Sequence, residues 1–251
     1  LTSTPSRFDG KTIIVTGAGS GIGKETATRL AFEGARVIAT DVVQDRLDAL
    51  TTELADYDVV TVTGDIADAG VISSIVEAAG GTIDGLANVA GIMDGFLPPA
   101  EVDDDTWDRV FAVNVVGPMR LTRAVLPLMI EAGTGTIVNV GSEASLRASG
   151  AGAAYSSSKH AILGFTKSVA FFYGPNGVRT NMVAPGAVLT NIESPFKSAY
   201  AGERVGPIMQ ATMPTPAQAS ELAAAITWLL SDDSSNVNGA VLPSDGGWSV
   251  I

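Results

Sequence analysis

Short apolar runs and helically spaced apolar residues alternate along the chain. The runs, the first of them β-branched and ending at glycine, are short and bounded by turn or small residues, which predicts buried strands. The runs are Lys11–Thr16, Arg36–Asp41, Val59–Thr63, Gly85–Gly91, Thr136–Val140, Val178–Ala184 and Gly239–Pro243. Between them, apolar residues three and four apart predict helices with one inward face. Ile22, Thr26, Ala27, Leu30 and Ala31 mark the first, which Gly34 stops. Leu47, Leu50 and Leu54 mark the second, and Val71, Ile72, Ile75, Val76 and Ala79 the third. Glu101 to Asn114 predicts a helix with Trp107, Val110 and Phe111 inward, and a long helix follows Pro118 through Leu121, Val125 and Met129. Tyr155 to Tyr173 carries Ile162, Phe165, Thr166, Val169 and Phe172 at helical period until Pro175. A last helix opens at Pro216, a position where proline is tolerated, and continues through Leu222, Ala225, Ile226 and Leu229. The stretch 187–215 has weak periodicity and three prolines, Pro195, Pro207 and Pro214. It is long for a connection, so a functional lid is expected there.

Seven strands alternating with helices predict an α/β fold of Rossmann type: a doubly wound parallel sheet with helices on both faces. No composition break or internal repeat divides the chain, so residues 1–251 are expected to form a single dinucleotide-binding catalytic domain.

Composition narrows the chemistry. Cysteine is absent, which removes disulfides, thiolate metal sites and a thiol nucleophile. A single histidine, His160, leaves no multi-His metal centre, and no metal is expected. The net charge of −12 argues against nucleic acid and anionic membrane surfaces. No apolar run reaches membrane-span length, and Leu1 to Asp9 lack a signal-peptide core, so a cytoplasmic address is expected. The acidic run Asp103–Asp105 reads as a helix start, where acids complement the dipole.

Three features carry candidate chemistry. Gly17-Ala-Gly-Ser-Gly-Ile-Gly23 lies between the first strand and the first helix, where glycines let backbone approach a pyrophosphate at a helix N-terminus. Asp41, 18 residues beyond Gly23, ends the second strand. An acid there accepts hydrogen bonds from ribose hydroxyls and repels the extra phosphate of NADP; no Lys or Arg directly flanks it, which selects NAD(H). Tyr155 and Lys159 stand four apart on one helix face. A nearby cation favours the phenolate, making the pair a plausible proton-transfer device. His160 points elsewhere on that helix and reads as structural.

Taken in order, these residues resemble the short-chain dehydrogenase/reductase family over nearly the whole chain. Thr16-Gly17-x-x-x-Gly21-x-Gly23 is similar to its glycine motif, and Asp65-Ile66 to its adenine-contacting pair. Asn88-Val-Ala-Gly91 resembles its Asn-Asn-Ala-Gly motif, with Val89 in place of the second Asn. Asn114 in Asn114-Val-Val-Gly117, and Ser142 standing 13 residues before Tyr155, resemble the rest of its catalytic tetrad. Pro185-Gly186-x-Val188-x-Thr190 resembles the segment that holds the nicotinamide carboxamide. The resemblance implies Asn114, Ser142, Tyr155 and Lys159 as catalytic residues. It implies cofactor contacts from Gly17, Ser20, Gly21, Ile22, Gly23, Asp41, Asp65, Ile66, Asn88, Ala90, Gly91, Tyr155, Lys159, Pro185, Gly186, Val188 and Thr190.

The implied activity is hydride transfer between NAD(H) and a secondary alcohol or ketone. Tyr155 is the acid/base, Lys159 tunes it and grips the cofactor ribose, Ser142 holds the substrate oxygen, and Asn114 anchors a water relay. Met93, Phe96, Leu146, Phe196, Tyr200, Met209 and Met213 predict a relatively hydrophobic small-molecule substrate, while Arg147 or Lys197 could instead meet an anionic group. A 3-oxoacyl-carrier-protein reductase and a catalytically silent nucleotide-binding protein are the alternatives. The resemblance also suggests a homotetramer, paired through the helices 118–130 and 154–173 and through the segment Val241 to Trp248.

Overall fold

The computed structural model describes residues 4–190, 192 and 195–250. Residues 1–3 and 251, and residues 191, 193 and 194 within the expected lid, lie outside the described residues.

The fold starts from strands buried on both faces. In β1 (Thr12–Thr16), Ile13 and Val15 pack on one side of the sheet and Ile14 on the other, the two-residue alternation of a pleated strand. The glycine loop leads into α1 (Gly21–Phe32), followed by β2 (Arg36–Asp41), α2 (Gln44–Glu53) and β3 (Val59–Thr63). Next come α3 (Ala69–Ala79), capped by the Asp68 side chain on Gly70 N–H, then β4 (Gly85–Asn88) and α4 (Asp104–Phe111). A π-helical turn, Ala112–Val116, joins α4 to α5 (Gly117–Ala132). After β5 (Gly135–Val140), two short 3₁₀ turns precede α6 (Ala153–Tyr173). The chain closes with β6 (Val178–Pro185), β7 (Val188–Leu189), α7 (Ala199–Thr212), β8 (Ala217–Gln218), α8 (Ala219–Leu230) and β9 (Val241–Ser244).

Seven strands form one parallel sheet in the order β3-β2-β1-β4-β5-β6-β9, and β7 pairs with β8 in a separate two-stranded ribbon. On one face, α1, α2 and α8 bury Leu30, Leu47, Leu50, Leu222, Ile226 and Leu229. On the other, α3, α5 and α6 bury Ile75, Leu121, Val125, Met129 and Val169. Full burial of each such side chain contributes about 2–3 kcal/mol before chain entropy is subtracted. Strand order reverses between β1 and β4, so a crevice opens at their C-terminal ends, where such sheets bind ligands.

Several elements differ from the sequence expectation. The helix expected over 101–114 is shorter and ends in the π-turn, and Trp107 and Phe111 stack on one another, 4.9 Å apart, only half-buried. Phe172 faces outward; the buried stripe of α6 runs through Ile162, Thr166, Val169 and Ala170. The last helix begins at Ala219 rather than Pro216, because Gln218 N–H donates to the Glu221 carboxylate (2.8 Å). The expected lid contains α7, whose Ser198 side chain accepts from Ala201 N–H. Only Ala201 of α7 is buried, so the helix carries no apolar stripe for a sequence pattern to reveal. The Asp103 side chain accepts from Thr106 N–H (2.7 Å) and caps α4, with Asp104 and Asp105 in its first turn.

Candidate active site

The crevice holds two adjoining cavities of about 530 and 400 Å³. Ile22, Gly91, Met93 and Thr190 line both.

The outer cavity is walled by the glycine loop, the end of β2 and the loops after β3 and β4. A Cβ on Gly23 would lie 2.0 Å from the Gly17 carbonyl oxygen, and one on Gly17 would lie 3.0 Å from Ala90 Cα. Gly17 also has a φ of +68°. Only glycine lets this loop close against the β4 segment and leave an open cradle at the start of α1. No acid occupies the first turn of α1, so its dipole is left to an incoming anion. Asp41 borders the glycine loop directly, with Oδ2 accepting from Gly19 N–H (3.0 Å) and Oδ1 from Val43 N–H (3.0 Å). Asp65 and Ile66 line the same cavity. Burial opposes the Asp65 charge, but Ala67 N–H and Arg109, 2.6 Å away, outweigh it and hold the carboxyl below its ordinary range. These features fit a dinucleotide: a backbone cradle for phosphates with a carboxylate lining the same cavity.

The inner cavity holds the other expected residues. Ser142, Tyr155 and Lys159 line it, with Pro185, Gly186 and Val188 on the facing side. Thr190 packs on Gly21 and lines both cavities. Ser142 stands beside the Tyr155 phenol, where its hydroxyl favours the charged form. Lys159 is 3% exposed and donates to the Val140 carbonyl (2.9 Å), with its ammonium 5.5 Å from the Tyr155 ring centroid. Burial pulls the Lys159 ammonium down to about 8. Burial also pushes the Tyr155 phenol up to about 12; the Ser142 hydroxyl opposes this and the Asp94 charge adds to it. The expected lowering of the Tyr155 pKa by Lys159 is therefore not the net condition of this structure. The ammonium lies over the ring, and desolvation dominates.

Asn114 occupies the π-turn, an irregularity found mostly at functional sites. Its Oδ1 accepts from Ile92 N–H (2.9 Å), and its Nδ2 donates to Ile92 O (3.0 Å) and Ser158 Oγ (3.1 Å). It thus ties the loop after β4 to α6, and Gly91 lies against both Asn114 and Lys159. Asn88 is the one expected cofactor residue whose side chain turns away. It is 3% exposed and donates to Asn139 (2.8 Å) and Thr122 (3.3 Å) behind the sheet edge. His160 is exposed and its Nδ1 meets the Ser156 carbonyl (2.9 Å), clear of the cavity.

Three residues take their place only in three dimensions, and Phe96, expected at the substrate pocket, shows a backbone the sequence does not announce. Arg46, five positions after Asp41, lines the outer cavity beside it. Trp248, expected at a subunit contact, is 5% exposed within its own chain, walls the inner cavity, and donates to Thr212 Oγ1 (3.0 Å). Asp94 is buried beneath Tyr155. Phe96 adopts a φ of +59°, a left-handed backbone that costs an aromatic residue about 1–3 kcal/mol, and its ring lies 4.4 Å from that of Phe196. A motif-based reading had no signal for these, since none lies at a fixed offset from the glycine loop or the tyrosine.

A cleft of this design, with a glycine cradle joined to a Ser-Tyr-Lys corner, defines a nucleotide-dependent oxidoreductase on a Rossmann-type sheet. The family model described as short chain dehydrogenase matches residues 11–201, and the chain belongs to that family. A 3beta-hydroxysteroid dehydrogenase of Eggerthella lenta is 39% identical over 252 residues, covering 96% of this chain and 95% of the relative. The crystal structure of levodione reductase superposes with a TM-score of 0.88 at 33% identity, covering 97% of this chain and 99% of the other. An NAD(P)-dependent gluconate 5-dehydrogenase structure from Beutenbergia cavernae, with NADP bound at low occupancy, gives 0.85 at 33% identity, covering 99% and 100%.

Proposed function

We propose that the chain is an NAD(H)-preferring dehydrogenase/reductase acting on a secondary alcohol or ketone with a relatively apolar skeleton. One observation carries the reading: Ser142, Tyr155 and Lys159 together line an inner cavity that shares Ile22, Gly91 and Thr190 with the dinucleotide cradle. Bound NAD(H) supplies or accepts the hydride.

In the reductive direction, Tyr155 is already a neutral phenol and donates its proton to the carbonyl oxygen. Ser142 holds that oxygen beside it. In the oxidative direction, Tyr155 must first lose its proton, and the Lys159 charge is the group that favours this. Asn114 holds the wall along which that proton leaves. The apolar side of the inner cavity comes from Met93, Phe96, Met209, Met213 and Trp248, and the stretch 187–215 acts as its lid. Lys159 is the only cation among the described lining residues; Arg147 is paired with Glu143 and stacked on Trp248, 5.1 Å away. This supports an uncharged substrate, as do relatives named for a hydroxysteroid and for levodione.

Asp41 supports NAD(H), because its carboxylate would meet the extra phosphate of NADP. Arg46 beside it works in the opposite direction and tempers the preference. A homotetramer fits the outward-facing Phe171 and Phe172 at the end of α6, 77% and 65% exposed. The test is kcat/KM with NADH and NADPH against a panel of alicyclic, aryl and acidic ketones. The reading predicts preference for NADH and for the uncharged ketones. Preference for keto acids, or for NADPH, would overturn the corresponding half.

A further inference from the structure

Asp94 takes part in no step of the reaction described above, yet it is 1% exposed and, among the described residues, forms no ion pair. Its carboxylate accepts three backbone hydrogen bonds. Oδ1 takes Phe96 N–H (3.0 Å) and Gly152 N–H (3.2 Å), and Oδ2 takes Tyr155 N–H (2.9 Å). The first amide belongs to the wall of the substrate cavity; the other two belong to the start of α6. Gly152 is the N-cap of that helix and offers no side chain to cap it, so Asp94 does so from another segment. A Cβ on Gly152 would lie 2.5 Å from Asp94 Oδ2, so the glycine admits the carboxylate. The Asp94 bond also fastens Phe96 in its left-handed backbone.

We infer that Asp94 is a positioning residue for Tyr155: it clamps the first turn of α6 to the Phe96 wall, and its fixed negative charge opposes formation of the phenolate. The inference rests on Tyr155 being the acid/base. Among the other charged groups around the tyrosine, Lys197 of the lid packs along Gly95, next to Asp94, but makes no ion pair with it among the described residues. On α6 itself stands Lys159, which favours the phenolate. After β5 stand Glu143 and Arg147, which neutralise each other. Beyond β9, Asp245 is turned toward its own loop, accepting from Gly247 and Ser249 N–H (2.9 Å each). The direction agrees with the raised Tyr155 phenol, to which Asp94 contributes after burial. The functional consequence is a resting site biased toward proton donation, hence toward ketone reduction near neutral pH.

Two variants separate position from charge. Asp94→Asn keeps the size and, through its single oxygen, the bonds from Phe96 and Gly152 N–H; it removes the charge and gives up the bond from Tyr155 N–H. It should move the rising limb of the pH profile for alcohol oxidation, read as kcat/KM, down by about one pH unit. The tyrosinate titration of the cofactor-free protein, taken as the difference from Tyr155→Phe, should move the same way. Gly152→Ala keeps the charge but pushes the carboxylate aside. It should lower kcat by about tenfold, as misplacement of a reacting group does, with the limb unmoved. An unshifted limb in Asp94→Asn would overturn the charge role, and wild-type kcat in Gly152→Ala would overturn the clamp. If Tyr155→Phe itself kept its activity, the underlying acid/base assignment would be at fault instead.

Discussion

Lys159 is a buried ammonium whose one hydrogen bond given by the structure is to the Val140 carbonyl and which has no carboxylate partner among the described residues, so the folded chain carries a charge it is poorly placed to solvate. Its value is pulled from 10.5 to about 8 by burial. That gap corresponds to about 3 kcal/mol of stability forgone while the group is charged. The sign follows from proton counting. Between about pH 8 and 10.5 the unfolded chain binds more protons than the folded one, so stability rises with pH across that window. Below it the full penalty applies, and above it the penalty vanishes. Lys159→Met removes the charge while filling most of the volume, and leaves the Val140 carbonyl without its donor, which costs about 1 kcal/mol. The net expectation at pH 7 is a variant more stable by about 2 kcal/mol, or about 4–8 °C in Tm, and without turnover. The assay is thermal melting of cofactor-free wild type and variant from pH 7 to 10.5. The advantage of the variant should shrink steadily above pH 8. A variant less stable than wild type at pH 7, or an advantage that does not change with pH, would refute the reasoning.

Other substitutions probe the remaining parts of the cleft and its support. Asp41→Asn should narrow the preference for NADH over NADPH by about tenfold, the effect of one charge-assisted ribose contact, measured as the ratio of Kd values from cofactor fluorescence. Arg46→Ala should widen the same ratio by weakening NADPH alone. Gly23→Ala sets a methyl against the Gly17 carbonyl and should abolish cofactor binding in isothermal titration while the far-UV spectrum stays native. Glu33 is fully buried, paired with Arg7 and Arg29 (3.0 Å). Glu33→Ala removes the buried carboxylate from both guanidinium groups, leaving Arg7 its contact with Asp233 (3.6 Å), and should lower stability by about 2–4 kcal/mol in urea unfolding.

Most of the strand framework was legible because buried parallel strands are written as short apolar runs between turn or small residues; Arg36–Asp41 and Val59–Thr63 coincide with β2 and β3 to the residue. The cleft was legible for a related reason. Its cradle and its Tyr-Lys pair depend on fixed spacings within single elements, which a sequence displays directly. What escaped depends on contacts between distant segments. Gly202, Gly206 and Pro207 lie inside α7 and read as helix breakers, and its exposed surface gives no period. The π-turn at Asn114 inserts one extra residue into a helix that reads as regular. Asp94 looks like any loop aspartate until the fold brings it to Gly152 and Tyr155, 58 and 61 residues further on. The titration of Tyr155 was misjudged because residue spacing reports the neighbouring cation but not the depth of burial.

The account stands most directly on Tyr155. The decisive measurement pairs NADH affinity with single-turnover ketone reduction in Tyr155→Phe. The phenyl ring fills the same buried site without the hydroxyl, so the account predicts unchanged Kd for NADH and a rate lower by at least about a hundredfold, the share general acid catalysis commonly contributes. A variant that binds NADH normally and reduces ketone at close to the wild-type rate would contradict it.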